Sequence, residues 1–141
     1  MTIERVVVDT NVLISAALRP KGAPRAVLDS IRSMNGVLVF SDETFSELQS
    51  RFNRPKFDRY VSQDLRRIWL SQLEAVSEWV SITGVRLGCR DPDDDKVLET
   101  ALIGDVSCLV TGDHDLLTIP QPPRKVSILT PSAFLELLKT R

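Results

Sequence analysis

Asp9 ends a run of valines at residues 6–8, and Asp113 ends the stretch CLVTGD at residues 108–113. Two further acids stand out, Glu47 in ETFSELQSRF and Asp95 in RDPDDDKVLETA. Each has a plain explanation by itself. Asp9 can cap a helix that comes after it, Asp95 can favour the positive end of a helix dipole, and Glu47 can pair with Arg51 one turn on. Asp113 can belong to a turn with Gly112, and Asp115 can cap the segment after it. Capping does not account for Glu47, nor for an acid behind each of the most apolar stretches. Taken together, the four suggest one pocket. Three or four carboxylates within a few ångströms repel, and some stay protonated unless a cation joins them. A hard divalent ion suits an all-oxygen donor set, and Mg²⁺ or Mn²⁺ is expected over zinc because no His or Cys cluster accompanies the acids. The single histidine, His114, reads as an exposed loop residue. Carboxylate-held Mg²⁺ serves phosphoryl chemistry, activating water and neutralising phosphate charge.

Whether these acids can meet depends on the elements that carry them. Short β-branched runs at residues 3–9, 36–41, 79–83, 107–113 and 125–130 read as strands. Helical spacing lies between them: Val12, Leu13, Ala16 and Ala17; Val27, Leu28, Ile31 and Met34; Phe45, Leu48 and Phe52; Val97, Leu98, Ala101 and Leu102. A longer helix is expected from Ser62, with Leu65, Ile68, Trp69, Leu73 and Val76 on its buried face. The last opens with Thr130 as N-cap and Pro131 at its first position, and buries Phe134, Leu135 and Leu138. Strands alternating with helices predict an α/β fold of three layers, α/β/α, around a mainly parallel sheet of about five strands. In such a sheet ligands bind beyond the carboxyl ends of the strands, where Asp9 and Asp113 lie.

The chain has 141 residues, which predicts one domain over residues 1–141. Its formal charge of −1 gives no general basic footprint, so a polyanion would need local clusters. No apolar run approaches the roughly 20 residues of a membrane span, and the start does not read as a signal peptide. Cys89 and Cys108 are too far apart for a C-x-x-C motif and read as reduced thiols, Cys108 in the core, so a cytoplasmic protein without membrane attachment is expected.

Four stretches, VVVDTNVLISA, ETFSELQSRF, RDPDDDKVLETAL and CLVTGDHDLL, together resemble the PIN-domain family, in that family's order and over nearly the whole chain. The resemblance is closest to the VapC-like toxins of prokaryotic toxin–antitoxin pairs. It implies a Mg²⁺- or Mn²⁺-dependent endoribonuclease acting on RNA, with Asp9, Glu47, Asp95 and Asp113 as its acidic metal site. It further implies Thr10, Asn11 and Thr111 as neighbours that orient ligands or the attacking water, and Asp115 as an additional group. Asp95 is preferred for the third acid by its offset to Val97, Leu98 and Ala101, with Asp94 as the alternative. A cognate antitoxin and a homodimer are implied in the same way.

RNA needs a surface as well as a centre. Residues 51–69 interleave Arg51, Arg54, Lys56, Arg59, Arg66 and Arg67 with Phe52, Phe57, Tyr60 and Trp69, which suits backbone contact with base stacking. Arg54, Lys56 and Arg59 are the candidate contacts, with Arg19, Lys21 and Arg25 as a second group; a solvated loop and helix face is the bland reading of both. A haloacid-dehalogenase-type phosphatase also starts with a strand ending in Asp, but needs a second Asp where Asn11 stands. The acids come in the wrong order for a phosphoacceptor receiver domain. A PIN-like binding module with little catalysis is the rival from another class.

Overall fold

The computed structural model describes residues 4–140. It begins with strand β1 (Arg5–Val8), helix α1 (Thr10–Leu18) and helix α2 (Ala23–Ser33). Strand β2 (Val37–Phe40), helix α3 (Asp42–Phe52), a 3₁₀ turn (Pro55–Phe57), helix α4 (Gln63–Val76) and strand β3 (Glu78–Trp79) come next. The remainder is α5 (Asp94–Ile103), β4 (Cys108–Val110), α6 (His114–Leu117), β5 (Ser127–Leu129) and α7 (Pro131–Lys139). The strands form one parallel sheet in the order β3-β2-β1-β4-β5, with Val7 opposite Leu109 and Val6 opposite Leu38. Ile3, counted in the first strand on sequence grounds, lies outside the described residues.

The continuous apolar strands are explained by cover on both faces. Val6, Val8, Leu38, Phe40, Cys108 and Val110 pack with residues of α1, α2, α3, α4 and α7. Val7, Val39 and Leu109 point the other way, onto Val97, Leu98 and Ala101 of α5 and Leu116 of α6. The layers are therefore α/β/α, as expected. Helix α5 lies so close to the sheet that a Cβ on Gly104 would stand 2.9 Å from Val39 Cγ1.

Three elements depart from the sequence reading. His114, a loop residue on sequence grounds, is exposed but begins helix α6. The third strand is two residues long rather than five. After Val80 N donates to Phe40 O, the chain leaves the sheet, and Thr83 N and Gly84 N donate to the Glu99 carboxylate of α5 instead of a strand. In α4 the buried residues are Arg66, Leu70 and Leu73, while Leu65, Ile68 and Val76 are exposed. Arg66 turns the helix. Its guanidinium is fully buried and donates to Phe52 O at 2.9 Å, to Arg54 O at 3.4 Å and to Asp58 Oδ1 at 2.5 Å. A charged side chain inside is tolerable because every direction it points holds an acceptor.

Candidate active site

Asp9 leaves the core at the end of β1 and caps α1. Its Oδ1 accepts from Thr10 N at 2.8 Å and its Oδ2 from Thr111 Oγ1 at 2.8 Å. Burial raises its pKa above the ordinary carboxylate value. The Thr111 hydroxyl and the Thr10 N–H pull it down, and the charges of Glu47 and Asp113 push it up again. The capping explanation is thus true of Asp9, yet capping leaves it among other acids. Thr111 stands just after β4 and joins two strand tips, because its hydroxyl also accepts from Asp113 N at 3.0 Å. Asp113 in turn caps α6, its Oδ1 accepting from Asp115 N at 2.9 Å.

Of the two acids in the α5 first turn, Asp94 faces this group and Asp95 does not. Asp94 lies three, four and seven residues before Val97, Leu98 and Ala101, so it continues the stripe that packs on the sheet. Asp95 is about 100° further round the helix. There its Oδ2 accepts from Arg86 Nε and its Oδ1 from Cys89 N, both at 3.1 Å. Burial works to raise the Asp95 pKa, but the Cys89 thiol, the N–H groups of Cys89 and Leu87, and Arg86 together hold it below the usual range. The offset that favours Asp95 on sequence grounds belongs to Asp94.

The Asp94 carboxyl, 8% exposed, is pushed up to about 7 by burial, by its contact with Asp113 and by the charges of Asp113, Asp9 and Asp91. Its Oδ2 is buried and receives no hydrogen bond. Two carboxyls in contact, with an oxygen that no N–H or O–H of the protein reaches, make a place that a shared proton or a cation fits.

Glu47 sits on α3, whose start is fixed by the Ser41 cap, itself bonded to Thr100 of α5 at 2.9 Å. Its Oε1 accepts from Thr10 Oγ1 at 3.1 Å and lies 3.3 Å from Arg51. Its Oε2 is ion-paired with Lys96 of α5. The helix-surface pairing with Arg51 and the approach to Asp9 therefore coexist. Among the described residues no three acids, cysteines or histidines are drawn tightly enough to cage an ion as they stand. The donor set nonetheless suits a hard cation: oxygen throughout, with one buried carboxylate oxygen lacking any donor. Burial, the hydrogen bond to Asp95 and the surrounding acids push the Cys89 thiol up to about 12, so it is a protonated thiol at neutral pH.

Asn11 is exposed in the first turn of α1, and Asp115 is half-buried, 3.5 Å from Arg90. Arg54, Lys56 and Arg59 are exposed on the connection between α3 and α4. Lys56 lies over the Phe57 ring at 5.1 Å and Arg59 over that of Tyr60 at 5.9 Å. In the second basic group Arg25 pairs with Asp29.

Sequence reasoning missed Lys96, Glu99 and Arg86. Glu99 accepts from Thr83 N at 2.9 Å, Thr83 Oγ1 at 2.7 Å and Gly84 N at 3.0 Å. The available signal was the spacing of Asp95 and Glu99, four apart and hence on one helix face.

Residues 5–115 match the sequence pattern of the PIN domain. The chain is 30% identical over 140 residues to the uncharacterized protein MJ1680 of Methanocaldococcus jannaschii, a match covering 94% of this chain and 90% of that protein. Among solved structures it resembles the T. brucei RRP44 PIN domain, with a TM-score of 0.44 and 15% identity, over 99% of this chain and 83% of that one.

Proposed function

The chain belongs to the PIN-domain family, whose members are usually nucleases, and from that premise we propose that it is a metal-dependent endoribonuclease built on Asp9, Glu47, Asp94 and Asp113. The observation that carries this reading is the buried Asp94 Oδ2, which has no donor and whose carboxyl touches that of Asp113. Mg²⁺ or Mn²⁺ would be held by Asp9, Asp94 and Asp113 with Glu47 beside them, supplying a water of lowered pKa and neutralising phosphate charge.

The protein's own groups do the positioning. Thr10 N and the Thr111 hydroxyl fix both oxygens of Asp9, and Asp115 N fixes one oxygen of Asp113. These bonds leave the carboxylates little rotation, so the charge is organised before the substrate arrives. The chemistry is hydrolysis: water attacks phosphorus in line, the phosphodiester P–O bond opposite breaks, and the leaving oxygen takes up a proton. No side-chain nucleophile is needed.

RNA is the substrate in this reading, with Arg54, Lys56 and Arg59 holding its backbone. Their exposure beside Phe57 and Tyr60 supports that role. The toxin-like motifs support a place in a cytoplasmic toxin–antitoxin pair, inhibited by an antitoxin. Leu65, Ile68 and Val76, exposed within one arc of α4, support a homodimer contact. No described helix is long and apolar enough to cross a membrane.

The test is cleavage of end-labelled structured RNAs with Mg²⁺, Mn²⁺ or EDTA, comparing wild type with Asp9→Asn and Asp94→Asn purified identically. Metal-dependent cleavage lost in both variants is expected. Equal activity in all three preparations would mean a contaminating ribonuclease and defeat the assignment. A folded wild type that binds no metal would favour the binding-module reading.

A further inference from the structure

Asp9, Glu47, Asp94 and Asp113 bring four potential negative charges to one edge of the sheet. Among the described residues the side-chain cations paired with any of them are Arg51 and Lys96, and both sit on Glu47. The two are not equivalent. Arg51 is one turn along the same helix, whereas Lys96 reaches Glu47 from α5, two residues beyond Asp94. Thr100 Oγ1 bonds Lys96 O at 2.7 Å, within a helix turn already tied to Ser41. The Lys96 and Glu47 side chains are 27% and 12% exposed, so salt screens their pairing poorly.

We propose that Lys96 is a tethered counter-ion of the acid site, competing with a divalent cation for the carboxylates and lending positive charge to an RNA phosphate bound beside them. The proposal rests on the nuclease reading above. Its physical content is a pair of effects with opposite signs. An ammonium beside the carboxylates repels an arriving metal ion, so removing it tightens metal binding. The same ammonium attracts a phosphodiester, so removing it weakens RNA binding. Loss of structure weakens both, and an inert surface lysine changes neither.

The experiment uses the whole chain as wild type, Lys96→Gln, Lys96→Met and Lys96→Arg, with folding checked by circular dichroism. Mn²⁺ affinity is measured by titration calorimetry without RNA. Affinity for a short fluorescein-labelled RNA is measured by anisotropy with Ca²⁺ in place of Mg²⁺. Lys96→Gln is expected to bind Mn²⁺ about fivefold more tightly and RNA about fivefold more weakly, the size of a near-surface unit charge. Lys96→Arg is expected to stay near wild type in both. If Lys96→Gln does not fold, Lys96→Met, which keeps the apolar stem, decides. Unchanged or weaker Mn²⁺ binding, or unchanged RNA binding, in the folded neutral variant overturns the proposal. Wild type that binds no Mn²⁺ overturns the nuclease reading itself.

Discussion

Asp94 and Asp95 are neighbours in sequence with opposite electrostatics. Asp94 is raised to about 7 by burial and acidic company, and Asp95 is held low by donors that outweigh its burial. Proton counting gives the sign for stability. Between the ordinary carboxylate pKa and about 7 the folded protein binds the Asp94 proton more tightly than the unfolded chain does, so stability falls as pH rises through that window. Asp94→Asn removes that loss: in metal-free buffer its melting temperature should gain on wild type as pH goes from about 4 to about 7. Asp95→Asn should instead melt below wild type at neutral pH, because the lowered pKa marks stabilisation that is lost only on acidification. Melting curves across pH separate the two, and cleavage should vanish in Asp94→Asn alone. Thr111 tests the same centre without touching a carboxylate. Thr111→Val keeps the shape but leaves Asp9 Oδ2 without its hydroxyl donor, and Mn²⁺ affinity should drop about 10- to 100-fold, as when hydrogen-bond partners of metal ligands are removed. Unchanged affinity would mean that Asp9 is oriented by its Thr10 bond alone.

Helix α5 is the element on which the site turns. One face carries Asp94 onto the sheet edge, and the adjoining face carries Asp95 and Glu99 into the connection after β3. The strands were legible because burial on both faces leaves an unbroken apolar run. The acids behind β1 and β4 were legible because the parallel sheet collects carboxyl ends on one edge. The third strand was not, since nothing local in WVSIT reveals that a glutamate 16 residues on takes the N–H of Thr83. The α4 stripe misled for a similar reason: an arginine inside a helix face reads as solvated until the carbonyls of Phe52 and Arg54 close around it. Glu99 should therefore matter to the loop more than to the helix. Glu99→Ala is expected to speed amide hydrogen exchange at Thr83 and Gly84 well above wild type, while Leu98 and Ala101 stay protected. Uniform deprotection along α5 would show instead that the carboxylate supports the whole helix.

At the scale of the molecule, an acidic centre in a chain of net charge −1 must still attract a polyanion. General electrostatic attraction supplies almost nothing, so RNA affinity has to come from local contacts whose number can be counted by salt dependence. Arg54, Lys56 and Arg59 are the exposed basic group beside aromatic rings, on a connection that the buried Arg66 holds from beneath. If each touches one phosphate of a single strand, replacing all three with alanine should reduce the slope of log affinity against log salt by about 2, at roughly 0.7 per contact. Affinity should fall evenly across RNA sequences, since phosphate contacts carry no base information. Anisotropy titrations over a range of salt, with Ca²⁺ to prevent cleavage, read both quantities. A slope that stays put would move the RNA path away from the α3–α4 connection, to Arg19 and Lys21, exposed between α1 and α2, or to Arg86 and Arg90, exposed beside Asp95 and Asp115. Arg86 and Arg90 already spend their charge on carboxylates, whereas Arg54, Lys56 and Arg59, beside aromatic rings, make no ion pair among the described residues. That difference is why the slope is expected to fall.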